Sequence, residues 1–161
     1  MKKRTKRIIS VIELIIIIPV LVWFFCPRTF SWACGENYDR ADITAVTVMM
    51  SGANEALDTA QSFSLTPGSA ECDKLLDLLE SRHYVPMYGE EGWDAAVGYA
   101  IDIHIDTEKG PCSVSLSADS PIHFTDDHGD RIHDTFRVTG ATFQQEVLEL
   151  VMELNGTPIT E

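Results

Sequence analysis

The chain has 161 residues, with 25 Asp and Glu against 12 Lys and Arg and a formal charge of −13. That balance argues against a nucleic-acid partner, because such a surface repels a phosphate backbone.

Residues 1–7 carry Lys2, Lys3, Arg4, Lys6 and Arg7, and a mostly apolar run follows over residues 8–26. A basic cluster ahead of an apolar run is an export or insertion signal. It holds the N-terminus in the cytoplasm and delivers the rest across the membrane. The run is close to the ~20 residues a spanning helix needs. Glu13 interrupts it at roughly 2–3 kcal/mol if central, whereas Pro19 is tolerable in a membrane helix.

Two outcomes follow. If Glu13 belongs with the basic region, the apolar core shrinks to residues 14–25, a signal-peptide length, and Ser31-Trp32-Ala33 permits cleavage before Cys34 and secretion. The aromatic residues Trp23, Phe24, Phe25, Phe30 and Trp32 favour instead a retained single-pass anchor in the cell membrane, since such rings seek the interface. Residues 27–41 show no usable period and read as a linker.

Beyond the membrane, residues 34–161 hold 6 Lys and Arg against 24 Asp and Glu, a formal charge of −18. Cys34, Cys72 and Cys112 lie in a compartment that permits disulfides. Cys72 falls on the apolar face of a predicted helix and Cys112 on that of a predicted strand. A Cys72–Cys112 bridge and a pair of buried thiols both remain open, because helix and sheet pack ~10 Å apart while a bridge wants Cα atoms within about 4.4–6.8 Å.

Residues 42–156 read as one α+β domain, with residues 157–161 as a tail. β-Branched residues 43–50 predict a strand and residues 61–66 a shorter second one. Ser69 caps a helix expected to run to about Tyr84, with Cys72, Leu75, Leu76 and Leu79 inward and Pro86 as its stop. Alternation then predicts four strands, over residues 99–106, 112–118, 122–125 and 132–138. Thr142 and Gln145 form a capping box ahead of a last helix with Phe143, Val147, Leu150, Val151 and Leu154 on one side, and Gly156 as its C-cap. The order ββαββββα predicts a two-layer sandwich, with two helices on one face of a mainly antiparallel sheet.

Hairpin register tests the histidines. A loop over residues 107–110 pairs His104 with Ser113, a loop over 119–121 pairs Ser117 with His123, and Asp127-His128-Gly129 pairs His123 with His133. His123 and His133 are therefore candidate ligands for a transition metal, or a pH-sensing pair. His104 lies two rows away, too far to share an ion. The same register gathers Asp106, Glu108, Asp126, Asp127 and Asp130 at one sheet edge, donors of the kind weak Ca²⁺ sites use, although the calcium-loop spacing is missing. Tyr88 and Trp93, in a Gly- and aromatic-rich loop, are candidate partner-binding residues.

These features favour a non-catalytic binding module for a protein or small ligand outside the cell. No cofactor is implied. A metal- or pH-responsive domain is a second reading and a small hydrolase a third, although no nucleophile motif stands out.

Overall fold

The computed structural model describes residues 3–52, 60–87, 99–118, 121–126, 135–140, 142–154 and 157–158. Of these, the side chains of residues 3–10, 126 and 157–158 lie outside the description. The helices are α1 (Lys3–Phe25), α2 (Phe30–Cys34), α3 (Ala70–Glu80) and α4 (Phe143–Glu153). The strands are β1 (Ile43–Gly52), β2 (Gln61–Leu65), β3 (Tyr84–Pro86), β4 (Tyr99–Thr107), β5 (Gly110–Ser117), β6 (Ile122–Asp126), β7 (Thr135–Val138) and the two-residue β8 (Thr157–Pro158).

The strands form one antiparallel sheet in the order β3-β7-β6-β5-β4-β1-β2-β8, with helices on one side. The expected α+β sandwich is therefore the observed fold. Alternation explains why one face is covered. Val46, Val48, Ile101, Ile103, Ile105, Cys112, Val114 and Phe124 are all buried, and the polar residues between them point the other way. Against that face lie Cys72, Leu75, Leu76 and Leu79 of α3 and Phe143, Val147, Leu150 and Val151 of α4.

The ends of the helices differ from expectation in two ways. Ser69 caps α3 as its sequence predicts, its Oγ accepting from the Cys72 N–H at 3.1 Å. But α3 stops at Glu80, and Tyr84–Pro86 is an edge strand paired with β7. The physical reason is Tyr84: it is fully buried, and its hydroxyl donates to the Leu79 carbonyl at 2.8 Å. At α4 the expected capping box does not form. The Thr142 hydroxyl donates to Glu146 at 2.6 Å rather than accepting from the helix backbone. Gly156 lies outside the described residues.

The stretch expected to be a linker is part of the core. Thr29 accepts weakly from the Trp32 N–H (3.4 Å) and starts α2, which Gly35 closes at φ 86, a conformation open to glycine. Phe30, Ala33, Cys34 and Tyr38 are buried. Phe30 meets Tyr38, Tyr84 and Phe124 at ring distances of 5.0, 5.8 and 5.8 Å, and Phe124 meets Phe136 at 5.2 Å. These are edge-to-face and tilted contacts, which aromatic quadrupoles favour. The domain therefore begins near Arg28, not at residue 42.

Along α1, every side chain of residues 11–25 is exposed. Among the described residues, no helix is long and apolar enough to cross a membrane.

Candidate functional site

The outer face of the sheet carries the chemistry. Between β4 and β5 the observed register is the expected one: Ile103 faces Val114, His104 faces Ser113 and Ile105 faces Cys112. The next two hairpins are each displaced by two residues. His123 stands opposite Ser115 rather than Ser117, and its neighbour on β7 is Thr135 rather than His133. The reason lies in parity. A two-residue slip returns every side chain to the same face, so hydrophobic patterning permits either register. His133 itself lies outside the described residues, as do Tyr88, Trp93, Asp127 and Asp130.

One outer row, read across the sheet, is Ser62, Met49, Asp102, Ser115, His123 and Thr135. The next is Ser64, Thr47, His104, Ser113 and Thr125. Cross-strand hydrogen bonds tie them laterally. Ser115 Oγ donates to Asp102 at 2.5 Å, His104 Nδ1 and Ser113 Oγ lie 2.7 Å apart, and His123 Nδ1 and Thr135 Oγ1 3.3 Å. His104 is one row and two strands from His123, on the order of 10 Å at strand spacings, so the two do not share an ion. The row is nearer than the sequence register has it, and the conclusion is unchanged.

The Ser113–His104 contact has the residue types of a nucleophile and its base. Its setting is different from that of a hydrolase. Ser113 sits mid-strand between His104 and Thr125, and the ladder on both sides occupies the neighbouring backbone N–H groups. A developing oxyanion needs such groups unoccupied and aimed at it. The arrangement suits hydrogen-bonded recognition better than acyl transfer.

Charge is distributed unevenly. The two outer rows hold one formal charge at neutral pH, Asp102. The helical side is strongly acidic, and part of that charge is clamped by Arg40. Its guanidinium reaches Asp73 at 2.9 Å, Asp77 at 2.6 Å and Glu80 at 2.9 Å. These carboxylates hold Arg40 firmly protonated, Asp73 most strongly. Tyr38 donates to Glu80 at 2.5 Å, and burial foremost, then that hydrogen bond, pushes its hydroxyl well above the usual tyrosine range. A shallow groove of about 520 Å³ opens beside this clamp, lined by Arg40, Ile43, Pro67, Cys72 and Leu76.

At the sheet end considered for calcium, Asp106 pairs with Pro111 while the Asp126 backbone pairs with Cys112. Lys109, in the loop at this end, pairs instead with Asp42 at 2.9 Å and Asp39 at 3.6 Å, neither of them a candidate ligand. Among the described residues, no three His, Cys, Asp or Glu side chains group as metal ligands. Cys72 and Cys112 are buried as separate thiols and form no bridge.

Sequence reasoning did not find Arg28. Its guanidinium carbon lies 5.0 Å from the Trp23 ring centre and 4.6 Å from that of Trp32. An arginine flanked by two tryptophans within five residues is a legible signal of such stacking. Comparison with known proteins finds no matching family model, no matching curated protein and no matching solved structure.

Proposed function

We propose that the chain is a membrane-anchored, extracytoplasmic, non-catalytic binding module whose recognition surface is the outer face of the sheet. The observation that carries this is the charge pattern. In a region of formal charge −18, the two central outer rows bear one formal charge and, apart from the thioether of Met49, otherwise hydroxyl and imidazole groups on a rigid sheet. Depletion of charge at the centre of a surface patch is what recognition surfaces share, because each buried charge costs desolvation. The partner is a protein or a small ligand that exchanges hydrogen bonds with Ser, Thr and His.

Retention by an anchor is supported by where the core begins. Cleavage before Cys34 would remove Phe30 and Ala33, each 1% exposed. The basic cluster at residues 2–7 sets the orientation, with the domain outside.

A photo-crosslinking residue at Thr47 or Thr125, compared in intact cells with one at Glu149 on α4, tests the surface. A discrete adduct from the sheet positions alone is expected. Equal adducts from all three, or none from the sheet, would remove this reading. Protease added to intact cells should digest the domain while a full-length chain stays with the membrane fraction. A product whose N-terminus is Cys34 would show secretion instead.

A further inference from the structure

We infer that Arg28 and α2 seat the domain directly on the bilayer, with Trp32 lying in the phospholipid headgroup layer beside Trp23. The inference deepens the anchored reading above and rests on it.

Three observations converge. First, one guanidinium stands 5.0 Å from the Trp23 ring and 4.6 Å from the Trp32 ring, so the two ring centres lie within about 10 Å of each other. Trp23 occupies the last turn of α1, and on the anchored reading this is where the apolar run of residues 8–26 leaves the bilayer for the headgroups, an interfacial layer of about 5–7 Å per leaflet. Second, the junction is fixed rather than flexible. Arg28 Nη2 donates to the Trp23 carbonyl at 2.6 Å, one of the helix-end acceptors that otherwise lacks a partner. The Arg28 backbone exchanges hydrogen bonds with Tyr84 at 2.7 and 2.8 Å, and Trp32 packs edge-on against Phe136 at 6.3 Å. Third, the patch is open and of the right polarity. Trp23, Phe25 and Trp32 are 64%, 60% and 42% exposed. Residues 14–35 contain no Asp or Glu, in a chain with 25, and Arg28 is their one charge.

Exposed indoles around a single cation suit lipid phosphate and glycerol groups: the rings insert, and the guanidinium meets the phosphate charge. The occupant is the phospholipid surface because the patch is continuous with α1 and begins one turn before that helix ends. The acidic remainder of the domain is then held at a set angle above the membrane, with only Gly35 separating the seat from Glu36, the first acidic residue beyond α1.

The test uses the full-length chain in phosphatidylcholine vesicles containing a headgroup spin-labelled lipid. One variant keeps only Trp32 (W23F, W93F) and another keeps only Trp23 (W32F, W93F). Both tryptophans are expected to be quenched to similar extents. Quenching of Trp23 with none of Trp32 overturns the seat while the anchor stands; quenching of neither removes the anchor reading and the seat with it. Trp32 shielded from iodide yet insensitive to the lipid label would put a protein on the patch and also overturn the proposal. Adding Arg28→Ala to the Trp32-only variant should reduce its quenching several-fold, while the same change in the Trp23-only variant alters nothing. Unchanged Trp32 quenching would refute the role of Arg28.

Discussion

Arg28 and Tyr84 exchange both backbone hydrogen bonds, N–H to O at 2.7 and 2.8 Å, so a residue three positions past the end of α1 prolongs the sheet beyond its edge strand. The pairing places Phe30 two residues later, where it fills the space between Tyr38, Tyr84 and Phe124. Phe30→Ala is expected to cost about 3–5 kcal/mol, the usual range for emptying a packed aromatic site. Trp32→Ala, two residues on but 42% exposed, should cost much less. Urea unfolding of the detergent-solubilised chain, followed by tertiary-structure signals rather than helix content, separates the two. Equal costs would mean that α2 is not anchored through Phe30.

Arg40 makes a second long-range tie, to three carboxylates on successive turns of α3. An isolated exposed ion pair contributes little, but here one side chain is ordered once for three partners. Arg40→Ala leaves Asp73, Asp77 and Glu80 repelling one another along one helix, at i, i+4 and i+7. With Arg40 35% exposed, the loss is expected to be about 1 kcal/mol at low ionic strength and smaller in 1 M salt. Arg40→Lys should recover part of it, since a lysine reaches fewer carboxylates at once. A loss that does not respond to salt would point to packing of the arginine stem instead.

What was legible in the sequence was what periodicity encodes. The strict alternation from Tyr99 to Ser117 determined two strands, their inward residues and their register, because a one-residue slip there would turn Ile103 and Val114 to solvent. Periodicity carries no such penalty for a two-residue slip, and both displaced hairpins, at Ser115–His123 and His123–Thr135, are displaced by two. The His123–His133 pair depended wholly on that choice. Helix α2 was invisible for another reason: five residues are too few to repeat a 3.6-residue pattern. The charge-poor outer rows were half legible, since alternation showed the polar residues but only the register showed which of them share a row.

The cysteines yield a stoichiometric prediction. Cys34, Cys72 and Cys112 are fully buried, Cys26 is partly open, and all are thiols. Burial foremost, reinforced by the neighbouring Asp73, pushes the Cys72 thiol up, which further suppresses its thiolate. A disulfide-exchange reagent should therefore modify Cys26 alone in the native protein, and all four thiols after denaturation. Recovery of only two reactive thiols after denaturation would establish a bridge. Peptide mapping would then show whether it joins Cys72 to Cys112.

Acidification should loosen the contact between the α3 end and α4. Glu146 accepts from the Thr142 hydroxyl and pairs with Arg82. These contacts, the Thr142 hydrogen bond most, hold its carboxyl below the usual glutamate value. A carboxyl whose value is lower in the folded chain than in the unfolded one adds stability above the unfolded value of ~4.3. That contribution is lost as the pH falls through the folded value. Glu146→Gln should therefore lower Tm at pH 7 and leave it nearly unchanged at pH 2–3, converging with the parent. Thr142→Ala and Arg82→Gln should each raise the Glu146 titration midpoint, read by carboxyl NMR. A larger response to Arg82→Gln would show that the ion pair, rather than the hydroxyl, sets the state of this carboxylate.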